Sequence, residues 1–397
     1  MILVFVAISL CAIAIYSSKL RDSLACAPQL HAIEPSLDAV DSELPTVSVI
    51  IPAYNEAENI QECITAVLDS TPLPDTKLDV WVVDDQSIDD TLLLAQSLQE
   101  ALGDSRLKVL PGKPRPAQEI WLGKNWACTQ GFEQAKGEFL LFIDADVRLK
   151  PQAIETAVQK AQLEQSDLLS LAPAITCGCL AEWLVQPLMV NNLTVGQDFQ
   201  AVNNPETDVA FAAGPFMLFR RTAYEKLGGH RAVANQVVED VELARRTKSA
   251  GLRLSYLQGG EFVSVRMYRS LSALWEGWTK NLYMGAQRDV GSMLYLALAM
   301  LVIYPLPWLC LVAVGYKSWV GVGNWLDLIA AGLAIVAIFF HYYLRLLSSK
   351  VYQIPLDYCW LGGVGGTIIA AMALVSVFKT ETGWGWTWRG RKLKLPT

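Results

Sequence analysis

Histidine, paired cysteine and charge are all scarce in this chain, and each shortage closes a route to function. Three histidines, at positions 31, 230 and 341, are too few for a histidine metal cage of any recognised spacing. Of eight cysteines (11, 26, 63, 128, 177, 179, 310 and 359) only Cys177 and Cys179 are close, and no second pair completes a zinc site. They read as small buried hydrophobes. Charged residues are 18% of the 397, and the net charge is −7. That balance excludes a nucleic-acid partner, because phosphate binding needs a basic surface. No internal repeat, no low-complexity run and no Gly-x-Gly-x-x-Gly after the first strand-like segment is present. The dinucleotide fingerprint is therefore missing.

What the chain has in excess is apolar sequence: 52% of residues are hydrophobic, and the mean hydropathy is +0.29. The excess is concentrated in residues 1–16 and in stretches near 293–315, 325–344 and 359–378. Each of the last three approaches the roughly 20 residues needed to cross a bilayer. The first run resembles a signal-peptide core with Ala25-Cys26-Ala27 as a cleavage site, but it lacks a basic leader and is followed by Lys19 and Arg21. Those positives favour an uncleaved anchor over 1–18, with the next domain on the cytoplasmic side. The expectation is a multi-pass integral membrane protein with a cytoplasmic catalytic domain.

Between the apolar ends, strands alternate with helices. Residues 19–45 read as a polar connector, and Val47–Ile51 as a β-branched strand ended by Pro52. A helix over about 58–68, a strand at 78–83, a helix over about 89–102, a strand at 106–110, a helix at 124–136 and a strand at 138–143 follow. Alternation of this kind predicts an α/β domain with a parallel, Rossmann-like sheet. Leu180–Val190 is apolar but too short to span; a core helix and a helix lying in the membrane interface both fit it. Strand character returns at 211–219, and helices are expected at 238–250 and 270–284.

Acidic residues gather where these elements end: Asn55-Glu56, Asp84-Asp85, Asp144 with Asp146, and Glu239-Asp240. Taken singly, Asp84-Asp85 fits a turn and helix cap, and Glu239-Asp240 a helix start favoured by the dipole. A buried strand ending in Asp-x-Asp places two carboxylates at the sheet edge, pointing the same way, as a hard oxygen site for Mg2+ or Mn2+.

The motifs Val49-Ile-Ile-Pro-Ala-Tyr-Asn-Glu56, Val82-Val-Asp-Asp-Gln-Ser-Ile-Asp-Asp-Thr91, Gly123-Lys124, Phe142-Ile-Asp-Ala-Asp146 and Val238-Glu-Asp240 resemble, as a set, glycosyltransferase family 2 with its GT-A fold. The resemblance implies a GT-A domain over 46–290, a membrane domain over 291–378 and a basic tail over 379–397. It implies that Pro52, Tyr54, Glu56, Asp84 and Asp85 hold the nucleotide, that Lys124 and Asp144 face the donor diphosphate, and that Asp144 and Asp146 bind Mg2+ or Mn2+. Asp240 resembles the base that deprotonates the acceptor hydroxyl, with Glu239 beside it. One base and one metal, without a carboxylate nucleophile, correspond to a single inverting displacement. The paired-carboxylate logic of glycoside hydrolases does not apply.

The family's processive members carry Gln-x-x-Arg-Trp after the base, and this chain does not. Glu276, Lys280 and Asn281 stand roughly there, which favours adding one sugar over making a polymer. Trp121-Leu-Gly-Lys-Asn-Trp-Ala127, Gly277-Trp-Thr-Lys-Asn281 and Trp386-Thr-Trp-Arg-Gly-Arg391 are similar to membrane-bound lipid glycosyltransferases of the hopanoid-associated, carotenoid and ceramide glucosyltransferase kind. The likeness implies a nucleotide-sugar donor, UDP-glucose by default, and a membrane-lipid acceptor. Gly214 and Pro215, in Phe211–Phe216, then line the acceptor site, with Trp278 and Lys280 as candidates for it. The aromatics of that helix fit either sugar stacking or packing under the membrane domain, and packing is favoured for most. Rival readings are a polyprenyl-phosphate sugar or short polysaccharide synthase and an inactive nucleotide-sugar- or lipid-binding scaffold; a transporter fits poorly, since the spans offer few polar positions.

Topology holds a conflict. Three C-terminal crossings leave the tail outside, yet Lys379, Arg389, Arg391, Lys392 and Lys394 favour the inside. If Trp388–Arg391 closes the active site, as the resemblance implies, one apolar stretch does not fully cross. Tyr304-Pro-Leu-Pro-Trp308, with two prolines, is the candidate break. His341 is expected near the end of an apolar segment, at the interface.

Overall fold

The N-terminal apolar run forms one long helix, α1 (Ile2–Ala25), in the computed structural model, which describes residues 1–32 and 44–393. Connector residues 33–43 and the tail residue Lys394 lie outside the described residues. An alternating segment follows: β1 (Val47–Ala53), α2 (Ile60–Asp69), β2 (Leu78–Asp84), α3 (Thr91–Leu102), β3 (Leu107–Pro111), α4 (Gly123–Gln134) and β4 (Phe139–Phe142). Then come β5 (Val147–Leu149), α5 (Ala153–Leu163), β6 (Leu168–Ala172), β7 (Ala174–Ile175), α6 (Leu180–Gly196) and α7 (Phe199–Asn203). The chain continues through β8 (Met217–Arg220), α8 (Arg221–Leu227), a 3-10 turn at Gly229–Val233, α9 (Glu239–Ser249), β9 (Leu254–Gln258) and β10 (Val263–Val265). The remainder is α10 (Leu271–Gly285), α11 (Val290–Ile303), α12 (Pro305–Trp319), α13 (Trp325–Tyr352), α14 (Gly362–Thr382) and the short hairpin β11 (Thr387–Trp388) and β12 (Arg391–Lys392).

These elements sort into two units. Among the described residues, a mixed unit takes Ala27–Ile175 and Phe199–Met267; a helical unit takes Met1–Cys26, Thr176–Asp198 and residues 268–393. The division differs from the linear boundaries expected above, since 176–198 and 268–290 join the helices. Side-chain bonding explains α10: Ser376 on α14 donates to the Thr279 carbonyl at 2.8 Å and accepts from the Tyr283 N–H at 3.0 Å. α6 buries Val185, Leu188 and Met189, and Trp278 of α10 donates to its Gln186 at 2.8 Å.

In the mixed unit a seven-stranded sheet runs β3-β2-β1-β4-β8-β6-β9. β1 pairs in parallel with β2 and with β4, whereas β8 is antiparallel to both β4 and β6. The all-parallel sheet read from sequence is therefore corrected to a mixed one. The chain leaves β6 and re-enters β8 at the same sheet edge, so no crossover is made. β1 continues through Pro52, which stands opposite Val83. Its pairing with β4 stops at Ile50, so the missing proline N–H breaks no bond on that side. Val49, Ile50 and Ile51 are buried completely. Helix α4 lies close on this strand because residue 131 is glycine: a Cβ there would stand 2.6 Å from Ile50 Cγ2. Of the strand expected at 211–219, only Met217–Arg220 is extended.

Among the described residues of the helical unit, three helices are long and apolar enough to cross a membrane: Ile2–Ala25, Trp325–Tyr352 and Cys359–Thr382. α11 and α12 pass together as a bent pair with a 42° break. The break falls at Tyr304-Pro305, as the prolines predict, because Pro305 has no N–H to continue the α11 ladder. Leu298, Leu309, Leu328, Phe339, Trp360 and Phe378 are exposed, an apolar exterior suited to lipid as solvent. Between helices, polar groups are spent on backbone: Ser9 donates to the Val302 carbonyl at 2.7 Å, and His341 Nε2 to that of Ile303 at 2.8 Å. His341 is thus buried among the helices of the bundle.

Candidate active site

The loops after β1 and β2 are sewn into one wall. Asn55 takes φ 53°, a left-handed turn that asparagine tolerates. Its N–H donates to Ser87 Oγ at 3.0 Å and its Oδ1 accepts from the Ile88 N–H at 3.0 Å. The Glu56 N–H donates to Thr91 Oγ1 at 2.7 Å, and the Glu56 carboxylate accepts from Asn59 at 2.8 Å. Asp85 N–H reaches back to the Ala53 carbonyl at 2.7 Å. Asp84 Oδ2 accepts from the Ser87 N–H at 3.0 Å, while its Oδ1 is buried with no hydrogen-bond partner. A buried acceptor left open costs about 1–3 kcal/mol unless something donates to it. Pro52, Tyr54, Glu56, Asp84 and Asp85 thus stand together at the carboxyl ends of β1 and β2, where open α/β sheets bind ligands. The turn reading holds too, through the Asp84–Ser87 bond; at the start of α3 the N-cap residue Asp90 makes no side-chain cap bond, and Asp89 Oδ1 accepts from the Thr91 N–H at 3.0 Å.

Beside this wall, β4 ends at Phe142 and Asp144-Ala145-Asp146 forms a turn leading into β5. This corrects the strand-end picture: strand alternation does not orient the two carboxylates, and the turn does. Lys124, in the first turn of α4, puts Nζ 2.6 Å from Asp144 Oδ1 and 2.7 Å from Glu239 Oε1. One ammonium therefore links the Asp-x-Asp turn to the start of α9. Next to Glu239, Asp240 Oδ2 accepts from the Gly214 N–H at 2.9 Å and its Oδ1 from the Val241 N–H at 2.8 Å. Glycine at 214 leaves room for this approach: a Cβ would meet Asp240 Oδ2 at 2.9 Å and Lys124 Nζ at 3.3 Å, so those side-chain ends would have to shift.

Three carboxylates around one ammonium set the electrostatics. Burial pushes Glu239 up, but the charge and hydrogen bond of Lys124 outweigh it and hold this carboxyl below its usual range. Asp240 goes the other way: burial, then the Glu239 charge, raise it to about 7 against the pull of Lys124. Burial lowers Lys124, and the surrounding carboxylates, Asp144 first, more than restore it, so it stays charged. A carboxyl poised near neutrality beside an ionised one is an acid/base pair set by environment.

Asp144 and Asp146 are the carboxylates that the Asp-x-Asp turn would offer a hard cation. Among the described residues no group of three His, Cys, Asp or Glu is placed to hold a metal ion. Two carboxylates completed by substrate phosphates are what Mg2+ or Mn2+ ordinarily takes, and Asp144 already carries a cationic partner in Lys124.

Asn125 was not singled out as a site residue. It is fully buried, and its Nδ2 donates to the carbonyls of Val233 (2.8 Å), Ala234 (3.2 Å) and Gln236 (3.0 Å). It pins the segment that delivers Glu239 and Asp240. Its one sequence signal was its place next to Lys124. Pro215 follows Gly214 in the same loop. Trp278 and Lys280 belong to α10 of the helical unit. Trp278 is buried with its indole N–H spent on Gln186, and Lys280 Nζ sits 4.0 Å from the Trp388 ring centroid. Both have packing roles in that unit.

Residues 48–228 match the family model "Glycosyl transferase family 2". Over 243 residues the chain is 30% identical to 4,4'-diaponeurosporenoate glycosyltransferase of Staphylococcus aureus (strain USA300), covering 60% of this chain and 61% of that protein. The match thus spans about three fifths of this curated relative. Among solved structures, a mannosyltransferase from Pyrobaculum calidifontis in complex with GDP-Man and Mn2+ superposes with a TM-score of 0.55 at 18% identity, over 94% of this chain and 98% of that one. The likeness shows the fold: a GT-A-like mixed α/β unit accompanied by apolar helices.

Proposed function

We propose that this chain, whose residues 48–228 form a glycosyltransferase family 2 domain, transfers a single sugar from a nucleotide-sugar to the hydroxyl of a membrane lipid, with inversion. The observation that carries the reading is the Lys124 bridge, which ties the Asp-x-Asp turn to the α9 start where Asp240 sits. Leaving-group side and base side thereby become one site. Asp84, with its open buried oxygen, and the Tyr54–Glu56 loop bind the nucleoside. Asp144 and Asp146 would hold Mg2+ or Mn2+, which when bound supplies Lewis-acid neutralisation of the departing diphosphate. Lys124 adds a second positive charge there. Asp240, held by the Gly214 and Val241 N–H groups, accepts the acceptor proton as its oxygen attacks the anomeric carbon. Glu239 stays ionised against Lys124 and keeps Asp240 basic.

The lipid acceptor rests on the apolar helices and on the relative's name, which specifies a carotenoid acid. Residues from the resemblance supply Gly214 and Pro215 to the acceptor side. The test is transfer by full-length protein in lipid nanodiscs, offered labelled UDP-glucose, GDP-mannose and other donors with Mg2+ or Mn2+ and a lipid extract. A lipid-soluble labelled product, absent with Asp240→Asn, is expected. Label in water-soluble polymer would support the synthase reading instead, and donor binding without transfer the scaffold.

A further inference from the structure

Within the helical unit, α6, α13 and the start of α14 line a small, partly open pocket. Its polar lining is Asn191, Tyr304, His341 and Arg345. Arg345 is only 4% exposed. Its Nε donates to the Pro355 carbonyl at 3.0 Å, and its Nη2 to the carbonyls of Asp357 at 3.0 Å and Trp183 at 3.3 Å. All three acceptors are neutral, and no ion pair among the described residues includes Arg345. Nη1 makes no hydrogen bond among them either. Asn191, 2% exposed, faces the same pocket with its Oδ1 buried and without a partner.

A guanidinium does not lose its proton in a protein, so this pocket carries a whole positive charge in apolar surroundings. Carbonyl dipoles and the nearby Asp357 carboxylate soften that charge, but no ion pair among the described residues closes on it, and a buried charge without a contacting counter-ion is costly. An oxyanion would supply the missing charge and accept from Nη1. Asn191, whose amide O and N exchange on a flip, would offer it a further donor. Helix length indicates the source of the anion. Arg345 lies 20 residues after Trp325, where α13 begins, or about 30 Å along the helix. That is about the thickness of the hydrocarbon core, so a helix entering at Trp325 brings Arg345 to headgroup depth.

We propose that the pocket binds the carboxylate or phosphate head of an anionic amphiphile, whose chain lies in the bilayer. The inference goes beyond the transfer reading, and none of its residues belongs to the sugar-transfer site, so the two stand or fall separately. The test uses full-length protein in neutral detergent and native mass spectrometry with oleate, dioleoyl phosphatidate, oleyl alcohol, acetate and inorganic phosphate. Oleate or phosphatidate is expected to bind at least tenfold more tightly than oleyl alcohol. Arg345→Gln and Asn191→Asp are each expected to weaken that binding at least tenfold. Asn191→Asp also guards against misfolding, because its new carboxylate supplies the counter-charge in place and is expected to hold or raise Tm. Equal binding of oleate and oleyl alcohol, or a folded Asn191→Asp protein that binds anions like wild type, would overturn the proposal. Acetate or phosphate binding as tightly as the lipids would overturn the lipid source in favour of a free ion.

Discussion

The mixed unit and the helical unit gather opposite charges. Around Lys124 the mixed unit gathers Asp144, Glu239 and Asp240, three carboxyls for one ammonium. Around Arg345 the helical unit gathers carbonyls and amides, and no carboxylate of the described residues pairs with it. The first imbalance calls for a cation and a cationic share of a diphosphate site; the second calls for an anion. The sign of the locally uncompensated charge thus indicates the ligand class before any ligand is seen.

The sharpest way to break the comparison is to remove the titrating member of the acidic cluster. Asp240→Asn is expected to cut kcat by about 10²–10⁴-fold while leaving donor affinity, measured by titration calorimetry, within a few-fold. The wild-type rate should fall as the pH drops below the Asp240 value of about 7, because the base must be ionised. A bound divalent cation would move that limb downward. Gly214→Ala comes next. Its Cβ collides with Asp240 Oδ2, and kcat is expected to fall at least tenfold with little loss of Tm, read by kinetics alongside thermal melts.

Stability supplies the smaller effects. Asn125→Ala removes a donor shared by three carbonyls, that of Val233 buried and those of Ala234 and Gln236 partly so, and is expected to cost about 1–3 kcal/mol in denaturant melts, with a lower kcat as the Glu239-Asp240 segment loosens. A pH series without metal or donor separates the two acids. Asp240 is raised above its unfolded value of about 4, so the folded state favours its protonated form, and stability should decline as pH rises from about 4 to about 7. Glu239 is depressed, so its contribution is present above its unfolded value and lost as pH falls below that range. Asp240→Asn should remove the first slope and leave the second.

Much of the mixed unit was legible in the sequence because its signals are local. The β1 and β2 runs, the acidic residues at their ends and the Gly-Lys pair are contiguous motifs, and the proline break in α11–α12 follows from one missing N–H. What escaped was set by long-range partners. The antiparallel β8 depends on where the chain re-enters the sheet. The Asp-x-Asp turn depends on β5 pairing with β10, since Val147 must start a new strand. Asn125 shows its role only once Val233, Ala234 and Gln236 come to it, more than a hundred residues away. α6 and α10 have apolar faces that fit either unit, and their long-range bonds assign them: α10 to α14 and to α6, and α6 to α13.

The central claim is a single displacement with Asp240 as base and no carboxylate nucleophile, and product stereochemistry tests it most directly. With an α-linked nucleotide-sugar labelled with carbon-13 at the anomeric position, NMR of the purified glycolipid should show only the β-linked product. An α-linked product would contradict the account, because retention requires a covalent intermediate or a different reacting face.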